Sequence, residues 1–166
     1  MSDLPDRSHT PSRNPSREDM LATRFPAEPR PGQLFILRIL WAAFVATQGV
    51  FAVVYSLAAV DVSGQDPEAA AAMLPIFLGL ALLMAGASLF AAPIYAAKAK
   101  LDYQVATLFR FAMAEAIGIF GLVLGFMGLE LYPFVFLGAS ALLILVQMPT
   151  ETTYQRYRKE CLSSVR

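Results

Sequence analysis

Residues Val105–Leu129 read VATLFRFAMAEAIGIFGLVLGFMGL, with only two charged positions, Arg110 and Glu115, in an otherwise apolar, glycine-rich run. As a helix rising about 1.5 Å per residue, this run is long enough to cross the roughly 30 Å hydrocarbon core of a bilayer. Three runs of similar character surround it, Phe35–Val60, Met73–Ala97 and Leu131–Met148. Each is near the length of about 20 residues that a spanning helix needs. Of the 166 residues 57% are hydrophobic and 16% charged, whereas about a quarter of residues are charged in soluble domains. The expected fold is an all-α membrane protein with four transmembrane helices. Its bundle covers residues 34–149, between a tail at 1–33 and a second tail at 150–166.

The connections are read from their composition. Residues 1–33 hold five arginines, five acids and six prolines, too little apolar surface to offset the entropy of ordering, so a disordered cytoplasmic tail is expected. A short helix at Arg17–Phe25 is an option within it, with Ser16 and Asp19 as a capping box and Pro26 as its stop. The tail is polar where a cleavable signal would place its apolar core, so the first run reads as a retained anchor. Asp61–Ala72 (DVSGQDPEAAAA) is expected to be an acidic loop, and KAKLDYQ, beginning at Lys98, a polar turn. Glu130 alone separates the third and fourth runs, which calls for a tight antiparallel hairpin with Pro133 in the first turn of the last helix. In the second tail Tyr154, Tyr157 and Cys161 are spaced to share a helix face, with Arg156, Arg158 and Lys159 reaching for anionic lipid. An interfacial helix over Thr153–Leu162 is the expectation, capped by Thr152 with Gln155.

The basic residues set an orientation. Arg7, Arg13, Arg17, Arg24, Arg30 and Arg38 precede or open the first run, Lys98, Lys100 and Arg110 surround the middle turn, and Arg156, Arg158, Lys159 and Arg166 follow the last. All thirteen therefore fall on one side, while the other carries Asp61, Asp66, Glu68 and Glu130. By the positive-inside rule both termini and the middle turn are expected in the cytoplasm of a bacterium, with the chain in its inner membrane. Trp41, Tyr95 and Tyr103 would sit at the inner interface, and Tyr55 and Tyr132 near the outer one. The charge balance gives no reason to propose nucleic acid as a partner.

Chemistry is sparse. One histidine, His9, and one cysteine, Cys161, leave no haem, zinc or disulfide framework, so no cofactor and no metal site is expected. Nucleophile elbows and phosphate-cradling glycine loops are missing too, so the chain reads as no enzyme. Glu115 stands out, about ten residues into the third run and close to mid-bilayer. Burying an unpaired carboxylate costs several kcal/mol, so Glu115 is expected to be a neutral acid. Arg110 lies about 140° around the helix and is expected to reach lipid phosphate instead. Counted from the cytoplasmic ends, Thr47, Gln48, Ser88 and Ser140 come to the depth of Glu115 and form a polar layer with it. Such residues act either as interhelical glue, at about 0.6 kcal/mol per hydrogen bond, or as the surroundings of a proton-binding site. Ala114, Gly118, Gly121, Gly125 and Gly128 make a small-residue stripe, open to packing inside the bundle or to a homo-oligomer face. A weaker stripe, Ala42, Ala46 and Gly49, lies on the first helix, and Pro93 is expected to kink the second and free the carbonyl of Leu89.

The segment Ala114–Val123, AEAIGIFGLV, resembles the carboxylate-bearing helix of the rotary ATPase proteolipid, subunit c. In that family a buried acid is followed by an aromatic, a glycine and aliphatics, and Glu115, Phe120 and Gly121 match those positions. As in the family, the helix leaves a polar cytoplasmic loop. The second run has only Gly79 and Gly86 where the family has dense glycines, and the loop lacks Arg-Gln-Pro, so the likeness is confined to one helix. What the resemblance implies is a reversibly protonated carboxylate held against a close-packed neighbour.

Two functions fit. One is a small accessory or assembly component of a membrane complex, embedded in lipid beside other membrane subunits or further copies of itself. The other is a small proton-coupled transporter acting as an oligomer.

Overall fold

The computed structural model describes residues 28–30, 32–58, 67–99 and 101–163. The short helix proposed at 17–25, the acids Asp61 and Asp66, and the bases Lys100 and Arg166 lie outside them. Every regular element among the described residues is helical: α1 (Gln33–Ala58), α2 (Pro67–Gly86), a π-helical segment (Ala87–Ala91), α3 (Ala92–Lys98), α4 (Tyr103–Phe126), α5 (Tyr132–Val146) and α6 (Glu151–Ser163). Three stretches are long and apolar enough to cross a membrane: Gln33–Ala58, Glu68–Lys98 and Tyr103–Phe126. The fourth expected span is shorter than its sequence run. α5 has 15 residues and reaches crossing length only together with α6, from which it is bent by 77°.

Local chemistry explains the boundaries. α1 is entered through Gly32 at φ 78°, and the Gln33 side chain accepts from the Arg30 backbone N–H at 3.2 Å. The Gln33 amide also donates to Asp102 at 3.3 Å. Asp102 is the N-cap of α4, accepting from the Gln104 N–H at 3.0 Å, so one carboxylate ties together the starts of two helices.

α2 begins at Pro67, so residues 67–72, expected as loop, are helical. Proline is favoured in a first helical turn, Glu68 suits the positive end of the helix dipole, and the alanines that follow are the best helix formers. Pro93 sits in the first turn of α3. A kink is expected at Pro93; what precedes it is the π-helical segment Ala87–Ala91, and Glu68–Lys98 runs as one span.

The α4–α5 hairpin closes on Gly128. The Leu129 N–H donates to the Leu124 carbonyl at 3.1 Å and the Gly128 N–H to the Gly125 carbonyl at 3.0 Å, with Gly128 at φ 106°. This is a Schellman stop, so Gly128 belongs to the turn and not to the helical glycine stripe. Pro133 lies in the first turn of α5 as expected.

α4 is the central helix. It packs along α5 and against α2 and α1, while α1 also packs on α5. α6 crosses the far end, where Tyr154, Tyr157 and Cys161 join Leu37, Ala96, Ala97, Tyr103 and Ala106 in one buried cluster. The tyrosine–cysteine face of α6 exists as expected, but it covers the helix ends rather than lying on lipid. Its cap also differs: Thr150 and Thr153 form the reciprocal box, with backbone-to-hydroxyl bonds of 2.9 and 3.2 Å, and Gln155 donates to Glu151 instead. The outer surface is apolar, with Phe35, Val50, Leu57, Leu82, Leu83, Leu142 and Val146 all exposed.

Candidate functional site

Among the described residues two polar places interrupt the apolar bundle, and both involve α4. Glu115 is half-buried midway along α4. Among the described residues its carboxyl makes no hydrogen bond and no ion pair. Around it the other α4 positions are closely filled. The Ser140 hydroxyl of α5 donates to the carbonyl of Ala114, the preceding residue, at 2.7 Å in a buried bond. One turn beyond Glu115, a side chain at Gly118 would come within 2.5 Å of the Gln48 carboxamide oxygen and 3.0 Å of Leu137. Gly121 is occupied by Phe136 and the Pro133 backbone, and Gly125 by Pro133 and the Tyr55 ring. Gly118, Gly121 and Gly125 are therefore consumed by contacts inside the chain, which is the packing alternative of the two open for the stripe.

Gln48 is 3% exposed, yet neither its amide nitrogen nor its oxygen has a hydrogen-bond partner among the described residues. A buried carboxamide left in that state costs about 1–3 kcal/mol per group. It is the least satisfied side chain near Glu115. Thr47, next to it, returns its hydroxyl to the Ala43 carbonyl of its own helix at 2.9 Å.

Ser88 does not join Glu115; it lies beside Arg110. The Ser88 hydroxyl donates to the Arg110 carbonyl at 3.0 Å, and the Arg110 Nε donates back to the Ser88 carbonyl at 3.1 Å. The Gln147 amide of α5 then donates to the Ser88 hydroxyl at 2.8 Å. Because the single hydroxyl proton is committed to Arg110, Gln147 must present its nitrogen here, which fixes its amide orientation. Counting along the second helix assumes uniform α-spacing, whereas Ser88 lies in the π-helical segment and its hydroxyl meets α4 at the Arg110 carbonyl. The expected single layer thus separates into a Ser140–Gln48 level near Glu115 and a Ser88–Arg110–Gln147 node nearer the start of α4.

Gln147 and the anchoring of Arg110 were missed in the sequence. The available signal was a lone carboxamide at the end of the fourth apolar run, two residues before Pro149. Trp41 shares the level of the node. Its indole N–H donates to the Ile144 carbonyl at 2.8 Å, and it packs with Phe44 and Val45 against Phe111, Ala114 and Ile144. Arg38 donates to the Pro149 carbonyl at 3.4 Å, so two side chains of α1 hold the open end of α5.

The described bases gather at this end, from Arg30 and Arg38 through Lys98 and Arg110 to the α6 residues. Glu68 and Glu130 stand at the other, where there is no base among the described residues. No group of three or more His, Cys, Asp or Glu among the described residues is placed to hold a metal ion. Compared with protein-family models, curated proteins and solved structures, the chain matches none.

Proposed function

We propose that the chain is a multi-pass protein of a bacterial inner membrane, with both termini cytoplasmic and α5 as the fourth pass. It serves as a small, non-enzymatic accessory or assembly component of a membrane complex, with Glu115 as a protonatable carboxyl in its interior. The observation that carries this reading is the filling of α4. Gly118, Gly121 and Gly125 are occupied by side chains of α1 and α5, while the large apolar residues of α1, α2 and α5 point outward. A body solid inside and apolar outside suits a place among lipids and other membrane subunits.

A second reading, a small proton-coupled transporter working as an oligomer, is favoured by the partnerless Glu115 carboxyl and the unsatisfied Gln48 amide one turn further along. Purification of wild-type and Glu115→Gln protein in mild detergent separates the two. A set of co-purifying membrane subunits that survives the substitution supports the assembly role. A chain that purifies only with itself and shows proton-driven uptake abolished by Glu115→Gln supports transport and overturns the first reading.

A further inference from the structure

α6 has the build of a separate moving part. Of its 13 residues Tyr154, Tyr157 and Cys161 are buried, while Arg156, Lys159 and Glu160 are exposed on its outer side. It leaves α5 at an angle of 77°, through residues 148–150, which belong to no helix. An isolated helix of this length is marginal in water, but this one carries its own local supports. The Thr150–Thr153 box closes its start, and Gln155 with Glu151 at 3.0 Å and Arg156 with Glu160 at 3.8 Å bridge successive turns.

Its dock is small. The Tyr103 ring meets Tyr154 and Tyr157 at 5.2 and 5.6 Å between centroids. The Tyr103 and Thr153 hydroxyls share a hydrogen bond of 2.9 Å, and the Tyr157 hydroxyl donates to the Leu101 carbonyl at 2.9 Å. The rest of the cradle is Leu37 with Ala96, Ala97 and Ala106, and each alanine withdraws only one methyl group from water. A contact of this size opens at a lower free energy than a bundle core. The same dock bears on the node beneath it, because Glu160 of α6 and Tyr103 of the cradle both act electrostatically on Arg110, whose Nε is held by the Ser88 carbonyl. When α6 lifts, Arg110 loses an opposite charge and gains water.

We propose that α6 is a lid, which swings as a preformed helix about residues 148–150 and uncovers the end of α5 and the Ser88–Arg110–Gln147 node while the bundle of α1 to α5 stays folded. Opening breaks the Tyr103–Thr153 and Tyr157–Leu101 hydrogen bonds and brings Cys161, 1% exposed when docked, to water. The lid depends neither on the assembly role nor on the protonation of Glu115.

Two residues that occur once each in the chain read the two parts separately. Cys161 reacts with a water-soluble maleimide only when the lid is open, and the fluorescence of Trp41, packed against Phe111 and Ile144, follows the bundle. The full chain in mild detergent at pH 7 is labelled along a urea series. Wild type should label slowly while Trp41 stays native, and urea should raise the labelling rate far less steeply than it drives the Trp41 transition. Tyr157→Phe, which removes the bond to Leu101, should raise the labelling rate about fivefold, one hydrogen bond of about 1 kcal/mol where tenfold is about 1.4, and leave the Trp41 transition in place. Gly121→Leu, overpacked against Phe136 and Pro133, should do the reverse, with an earlier Trp41 transition and an unchanged labelling rate. Labelling with the same urea slope as the Trp41 transition, or labelling that rises in Gly121→Leu in step with the loss of bundle stability, overturns the lid, since α6 then leaves only when the bundle unfolds. An unchanged rate in Tyr157→Phe, or a folded wild type that never labels, overturns it as well. If Gly121→Leu does not fold, the two urea slopes of wild type decide.

Discussion

Arg110 and Glu115 sit five residues apart on one helix, and the bundle meets them in opposite ways. Arg110 faces the π-helical segment, where a widened turn offers the Ser88 carbonyl as an acceptor. Glu115 lies among regular helices whose backbone groups bond internally, and the nearby Ser140 bonds to the Ala114 carbonyl instead of to it. Backbone irregularity, more than the supply of polar side chains, decides which membrane charge is tied into the protein. The tethered guanidinium belongs to the node at the end of α5, and the Glu115 carboxyl is left without a partner among the described residues.

The sharpest way to break this comparison is to disturb the filled half of α4. Gly121→Leu would drive a side chain into Phe136 and the Pro133 backbone, and overpacking of this kind costs about 1–3 kcal/mol or more. Gly138, with open space around it, should accept leucine with little change. Thermal unfolding in detergent should show a marked loss for the first and near-wild-type behaviour for the second. Equal behaviour of the two would mean that α4 is not packed as described.

Ser88→Ala comes next. It leaves the buried Gln147 nitrogen without its acceptor, a loss of about 1–3 kcal/mol. Glu115→Gln breaks no bond among the described residues, so its unfolding should stay within about 0.5 kcal/mol of wild type. A reversal of that order in chemical or thermal unfolding would contradict the contrast between the two charges.

Much of this architecture was legible in the chain. The apolar runs located α1, α2 with α3, α4 and α5, and the spacing of Tyr154, Tyr157 and Cys161 gave the buried face of α6. What covers that face was not legible, because spacing marks an apolar side without saying whether protein or lipid meets it. Residues 67–72 were misjudged because Asp, Pro and Glu suggest a loop by composition, although Pro67 and Glu68 are helix-starting residues in that position. The π-helical segment is invisible to periodicity, since the run around it is apolar on all sides and has no stripe whose phase one extra residue could shift. Depth counted along apolar runs likewise carries no sign of the Ser88–Arg110–Gln147 node. Gly128 looked like one more small residue in a stripe, and only its positive φ separates a helix stop from a packing glycine.

A smaller effect belongs to the docked end. Burial first of all raises the Tyr154 phenol above its ordinary value of 10.0, with Arg158 opposing it. A raised folded value means that the stabilisation is complete below about pH 10 and is lost as pH climbs through the folded value. Hydrogen exchange in α6 should therefore accelerate above pH 10 before α4 responds. Tyr154→Phe should remove that alkaline sensitivity, and retention of it in Tyr154→Phe would move its origin elsewhere.

The proposed role of Glu115 as a neutral, partnerless acid within the membrane is tested most directly by a hydrophobic carbodiimide, which reacts with protonated carboxyls in apolar surroundings. In intact membranes at about pH 6, mass spectrometry should find Glu115 labelled, with the yield falling as the pH is raised and exposed acids such as Glu151 left unmodified. An unlabelled Glu115 under those conditions would contradict that role and make the residue an ionised element of the bundle.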